Sequence, residues 1–410
     1  MPRIPALAKL LPHFGWQPII LTKPLRTAHD LECAIVETEH EDKYAVLKKV
    51  LNLDSKDSVE RQIKQKLGLS SGDRSFDYIY RSVAACLTYP DAEKGWKPFA
   101  IKEARQLLDT SDIDVLLSSS SPVTSHLIAH ELKNEYKIPW IADLRDLWSQ
   151  NHNYGYGAVR KALDERLERR ILSRADYLTT VSPIWTEKLK KLHNRTTVCT
   201  IHNGFDSSVL ERPKPELSPK FTITYVGGIY LNKQDPTRLF ASLKELIANG
   251  LIQPEDVEVK FYGSEYAWLQ TETEKYGLSL FVKQYGLIPK NTAIEKQRES
   301  QLLLFLNWED RREKGVYAQK IYDYLSAQRP ILSLGGSGND VIKQLLDETK
   351  AGEYCTTIEE ANNALANFYQ EYKRLGKVPY RGDLRKINQY SHIAMTKKFV
   401  QLFERIARNN

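Results

Sequence analysis

The chain has 410 residues, 41% of them hydrophobic and 27% charged, a length for two or three domains and a composition outside the range of disordered chains. Its 20 Gly and 18 Pro follow no Gly-X-Y period and no repeat or low-complexity tract is visible, which excludes fibrous and solenoid architectures. The net charge of +7 is spread evenly, with 30 basic and 27 acidic groups in residues 1–210 and 29 and 25 in the remainder, so no basic tail marks a nucleic-acid partner. The densest cluster, Arg160, Lys161, Arg166, Arg169, Arg170 and Arg174, is interleaved with Asp164, Glu165 and Glu168 at helical spacing, which reads as a solvated helix with internal pairs ahead of a lipid-facing patch. Cys33, Cys86, Cys199 and Cys355 are dispersed, without CxxC or metal-ligand spacing, as expected of reduced thiols. No apolar run approaches the ~20 residues that span a bilayer, and no signal-peptide h-region opens the chain. A cytoplasmic protein is expected, at most peripheral at the inner face of the plasma membrane.

In chain order, Ile4, Leu7, Leu10 and Leu11 predict a short helix over 3–13, which Gly15 ends, and 18–22 follows as a buried strand. A helix at 99–109, a strand at 114–118, a helix at 123–136 and a strand at 140–143 then alternate. A basic helix, a strand at 177–181, a helix opening at Ser182-Pro183 and a strand at 198–201 continue the pattern. Pro213, Pro215 and Pro219 crowd a polar stretch with the composition of a linker. A second alternation has strands at 221–226, 257–262, 282–285, 302–306 and 330–334 and helices at 236–249, 265–276, 292–299, 317–327 and 339–348. An amphipathic helix, 390–407, closes the chain. Alternation of this kind predicts parallel sheets flanked by helices, and ligands bind such sheets beyond the carboxyl ends of the strands. The domains read as 1–210, a linker 211–220, a second domain 221–388, and a C-terminal helix 389–410 that crosses back to the first.

Five strings carry a resemblance: Asp114-Val-Leu-Leu-Ser-Ser-Ser-Ser-Pro122, Ile138-Pro-Trp-Ile-Ala-Asp-Leu-Arg-Asp-Leu-Trp148, His202-Asn-Gly-Phe-Asp206, Tyr225-Val-Gly-Gly228 and Lys320-Ile-Tyr-Asp-Tyr-Leu-Ser-Ala-Gln-Arg-Pro330. In this order they resemble the signposts of GT-B glycosyltransferases of family 4. The resemblance implies an α/β fold of two Rossmann-like doubly wound domains facing a central cleft. It also implies a retaining, metal-independent transfer of a sugar from a nucleotide diphosphate sugar to a saccharide or lipid-linked acceptor, with no cofactor besides that co-substrate.

A leaving nucleoside diphosphate gains charge, which cations and helix N-terminal amides can meet without a metal. Gly227 and Gly228 let backbone approach phosphate. Lys233, five residues on, and Lys320 match the family's phosphate cations, with the amides near Ala318 and Gln319 beside them. The family's acidic pair would fall on Gly315 and Asp323. Asp323 keeps a carboxylate for ribose hydroxyls, Gly315 has none, and Glu313 is the nearest substitute. His202, Asn203 and Gly204 resemble the turn that contacts the nucleotide sugar. On the acceptor side, Asp143 or Asp146 would orient or deprotonate the hydroxyl and Arg145 would pair with a carboxylate or steady a phosphate. The competing reading there is an Asp–Arg ion pair that locks the loop.

The family's first strand and Gly-rich loop have no counterpart ahead of the 3–13 helix. The alternatives are a start codon placed too late, a degenerate copy, or another strand in the vacant slot, with 31–50 the nearest candidate. Accordingly a scaffold or assembly partner without transferase activity is the rival function, and a GT-B epimerase a more distant one.

Overall fold

The computed structural model describes residues 2–25, 31–41, 88–310 and 312–408. The chain forms two compact units: one holds Pro2–Val181, Trp185–Ile201 and Lys397–Asn410, the other Ser182–Ile184 and His202–Thr396.

In the first unit, α1 (Arg3–Leu10) buries Ala6 and Leu7 and, unexpectedly, the Arg3 guanidinium. The following strand β1 (Ile19–Thr22) forms where the sequence predicts it but is not buried. Among the described residues it pairs only with β2 (Ala34–Glu37), in parallel, Ile19 opposite Ala34, as a separate two-stranded sheet. The candidate 31–50 therefore supplies a strand beside β1, and 42–50 lies outside the described residues. Next come α2 (Lys97–Thr110), β3 (Leu116–Ser120), α3 (Thr124–Tyr136), β4 (Trp140–Leu144), α4 (Ala158–Leu172), β5 (Tyr177–Thr180), α5 (Pro183–His193) and β6 (Val198–Thr200). The four strands β3-β4-β5-β6 lie parallel in chain order, and all five residues of β4 are buried, as a strand covered on both faces requires.

The second unit contains β7 (Phe221–Val226), α6 (Thr237–Ala248), β8 (Val257–Tyr262), α7 (Ala267–Lys275), β9 (Val282–Gln284), α8 (Lys290–Arg298), β10 (Leu302–Leu306), α9 (Lys320–Ala327), β11 (Ile331–Leu334), α10 (Val341–Thr349), β12 (Gly352–Cys355) and α11 (Ile358–Leu375). Its parallel sheet has the order β12-β11-β10-β7-β8-β9. On one face Leu239, Phe240 and Leu243 of α6 pack with Ala361, Leu365 and Phe368 of α11 over Ile223 and Val259. On the other, Ile321 and Leu325 of α9 and Val341 and Leu345 of α10 cover Leu303, Phe305 and Ile331. Of the final helix α12 (His392–Ala407), residues His392–Thr396 belong to the second unit and the rest to the first.

Candidate functional site

The six strands of the second unit wind outward in both directions from β7 and β10, which are hydrogen-bonded neighbours. The chain leaves these two strands toward opposite ends of the sheet, so their carboxyl ends flank the crevice where doubly wound sheets take ligands. Gly227 and Gly228 sit at the end of β7. Gly227 has φ +107°, and a Cβ there would lie 3.3 Å from the Lys320 ammonium. The turn after β8 presses on it from behind, since a Cβ on Gly263 (φ +148°) would lie 2.5 Å from the Gly227 carbonyl oxygen. Gly227→Ala should therefore cost about 1–2 kcal/mol from left-handed strain alone, measured as a fall in the urea midpoint.

Lys320, the first residue of α9, lays its ammonium 3.9 Å from the centre of the Tyr225 ring. It donates to the Tyr225 hydroxyl and, at 3.2 Å, to the Gly228 carbonyl. Tyr225 in turn donates to the Gly228 carbonyl at 2.8 Å. Burial pushes the Lys320 pKa down to about 7, and no carboxylate pairs with it among the described residues. A cation in this position, facing a glycine turn, is suited to a ligand that brings its own negative charge. The Tyr225 hydroxyl is pushed far up by burial and stays a neutral donor.

Lys233 lies 4.9 Å from the Trp308 ring centre, just beyond the end of β10, where Tyr230 also meets Trp308 edge-on at 5.5 Å. The backbone of Glu309 donates to the Lys233 carbonyl at 2.9 Å, and Gln234 donates to the Leu306 carbonyl at 2.8 Å, so the connection after β7 is tied down onto β10.

Ala318 and Gln319 lead into α9, and the Gln319 side-chain amide donates to the Gly204 carbonyl at 3.2 Å. This joins the 202–204 turn to the start of the helix. His202 is set edge-on to Tyr317 at 5.4 Å and tilted against Tyr390 at 5.1 Å. Gly204 leaves no room for a side chain, since a Cβ would lie 2.7 Å from the His392 amide nitrogen. Asn203 stands between them.

Asp323, one turn into α9, is half-buried between the fully buried Tyr322 and Tyr324. Burial raises its pKa, partly offset by Lys290, and no hydrogen bond to its carboxylate is recorded among the described residues. Glu313 folds its carboxylate back onto the Gly315 amide at 3.0 Å, so the acid nearest position 315 caps that backbone.

In the first unit the strand-end trio divides. Asp143 is fully buried and accepts from Arg3 at 2.9 and 3.1 Å, Ser119 at 2.9 Å and Thr179 at 2.7 Å. Burial alone would raise its pKa, but the Arg3 guanidinium and these hydroxyls outweigh it and hold the carboxyl below its usual range. Phe399 covers the same guanidinium at 4.9 Å. The expected carboxylate partner of Arg145 is not what it meets: it donates to the carbonyls of Ser120 at 3.0 Å and Ser121 at 2.9 Å, clamping the serine run that ends β3. Asp146 is exposed, with no ion pair among the described residues. The residues that sequence reasoning overlooks are Arg3, Tyr225 and Trp308. Only the last two had a local signal, each standing at the end of a β-branched or apolar run that opens into a loop.

Residues 64–209 match the family described as Glycosyltransferase Family 4. No curated protein matches the sequence. Among solved structures, sucrose-phosphate synthase from Thermosynechococcus elongatus aligns over 98% of this chain and 92% of its own, with TM-score 0.58 and 12% identity. HepE of Anabaena, in complex with UDP, aligns over 74% of this chain and 82% of its own, with TM-score 0.56 and 12% identity. A mutant of S. aureus TarM, in complex with fondaparinux, alpha-GlcNAc-glycerol and UDP, aligns over 74% of this chain and 59% of its own, with TM-score 0.51 and 9% identity. The likeness is one of fold. The chain has the GT-B fold of glycosyltransferases, with two Rossmann-like domains, as the sequence predicts.

Proposed function

We propose that this protein is a retaining glycosyltransferase that passes a sugar from a nucleotide diphosphate sugar to a saccharide or lipid-linked acceptor of cell-surface polysaccharide synthesis, without a metal. The observation that carries the reading is the Lys320 ammonium, set against the Gly227–Gly228 turn with no carboxylate beside it among the described residues. As the glycosidic bond breaks, charge grows on the departing diphosphate, and a fixed cation with the amides of Ala318 and Gln319 lowers that charge's energy. Lys233 is the second cation of the same connection. Asp323 would accept from ribose hydroxyls, and the His202–Gly204 turn would border the sugar. The UDP bound to HepE and to TarM supports a nucleoside diphosphate as leaving group. Retention and the acceptor class rest on the resemblance.

With Asp143 locked to Arg3, Asp146 is the acceptor-side carboxylate left to accept a proton. Asp146→Asn is expected to lower kcat by about 10²–10⁴ while nucleoside diphosphate affinity stays unchanged. An unaltered kcat removes Asp146 from the reaction. The rival reading, a scaffold without activity, draws on Gly315, where no side chain can reach a transferred sugar. Titration calorimetry with UDP, GDP and ADP separates the two: a transferase binds one of them, a scaffold none.

A further inference from the structure

The basic helix α4 reads in sequence as a self-neutralising surface, yet the fold sorts its charges. Asp164 and Glu168 turn inward, 2% and 0% exposed. Asp164 accepts from Arg160 at 3.0 Å and Tyr154 at 2.5 Å, and Glu168 accepts from the Ser149 amide at 2.9 Å. Glu165, paired with Arg169 at 2.8 Å, is the one acid of the helix left near the surface. Lys161, Arg166, Arg170 and Arg174 are exposed, and no acidic partner is recorded for them among the described residues. The outward ridge is also apolar toward its N-terminal end, where Val159 is 79%, Leu163 52% and the preceding Tyr156 48% exposed. Helical spacing puts Val159 and Leu163 in line with Arg166 and Arg170. Arg160, stacked 4.3 Å from the Tyr89 ring centre and 4.9 Å from that of Tyr156, fixes the tyrosine at the head of the ridge.

We propose that this face of α4 docks on an anionic lipid bilayer. Val159, Leu163 and Tyr156 enter the boundary between headgroups and acyl chains, and Arg166, Arg170 and Arg174, which follow on the same side of the helix, meet lipid phosphates. Arginines suit both demands, since their stems lie along apolar surface while the guanidinium reaches outward to phosphate. The charge balance favours a bilayer over a second copy of this chain, which would bring three more arginines, without acidic partners among the described residues, against these. The inference does not depend on the transfer reading, because none of its residues belongs to the proposed phosphate or acceptor side.

The test is co-sedimentation of the full chain with phosphatidylcholine vesicles and with mixed phosphatidylcholine–phosphatidylglycerol vesicles. The protein should pellet with the anionic vesicles alone and be released by added salt. Arg166→Ala with Arg170→Ala should weaken partitioning about thirtyfold, and Val159→Ser with Leu163→Ser by about tenfold or more. Lys102→Ala with Lys377→Ala, which removes two exposed cations elsewhere, should change little. Failure to bind, equal binding to neutral vesicles, or an equal loss in the remote pair overturns the proposal. So does a dimer in sedimentation velocity that the Val159→Ser, Leu163→Ser variant dissolves, which would assign the face to a second copy.

Discussion

Lys320→Ala should abolish transfer and weaken nucleoside diphosphate binding by roughly 10- to 150-fold, the worth of a charge-assisted hydrogen bond of about 1.5–3 kcal/mol, without loss of thermal stability. The two halves of that expectation have one cause. In the free protein the ammonium has given up water for a tyrosine ring, a hydroxyl and one carbonyl, which is why its pKa falls from 10.5 to about 7. Removing it relieves the fold of a poorly solvated charge, so the melting temperature should hold or rise. A purely structural lysine would do the reverse, and a lowered melting temperature with unchanged nucleotide affinity refutes the assignment.

The same shift fixes the pH dependence. From about pH 7 up to 10.5 the unfolded chain holds a proton that the folded chain has lost, so this group's contribution to stability improves as pH rises through that window. Binding runs oppositely. A diphosphate restores the ammonium, so above pH 7 complex formation takes up a proton and affinity should fall by up to about tenfold per pH unit. Calorimetry at alkaline pH in two buffers of different ionisation enthalpy reads the proton directly.

Arg3→Ala should be the most destabilising single change in the first unit, at about 3–5 kcal/mol, because it leaves the Asp143 carboxylate buried without its cation. Arg3→Met together with Asp143→Leu should cost much less, since neither charge then stays behind. Urea denaturation of the two variants measures the difference, and equal losses would show that packing rather than charge dominates there. The depressed Asp143 pKa has the usual acid consequence: the pair's contribution is present above the carboxyl's ordinary value and is lost as pH falls through the lower native one.

Legibility followed the range of the interactions. The strands at 221–226 and 302–306 coincide with β7 and β10 because strands inside a parallel sheet are unbroken apolar or β-branched runs, and 257–262 coincides with β8 through the alternation of buried Val257, Val259 and Phe261 with part-buried Glu258 and Lys260. Gly227, Gly228 and Lys320, which the structure brings together, each lie within a short contiguous string of the sequence. By contrast, α11 is missed by a search for large apolar side chains at helical spacing, since two of its five buried positions are alanines. Its ends were nonetheless marked, by a Thr357–Glu360 capping box and by Gly376 in the left-handed region. The Asp143 partner lies 140 residues away in sequence, which no local pattern reveals. Arg145 falls just past the end of β4 at Leu144, where strand alternation no longer sets a side chain's direction, and it donates to the carbonyls of Ser120 and Ser121 at the end of β3.

The meeting of the Gly227 and Gly263 turns has a practical corollary for anyone wishing to redirect this protein to another ligand. Where two main chains touch, there is no side chain to exchange, and the floor of the crevice is the same for every ligand that enters it. Variation has to come from the rim, at Tyr230 and Trp308 on one side and Tyr266, whose hydroxyl receives the Ile229 amide at 3.0 Å, on the other. A library spread over those three positions would sample new selectivity on an intact base, whereas one spread over the glycines would lose stability at every member.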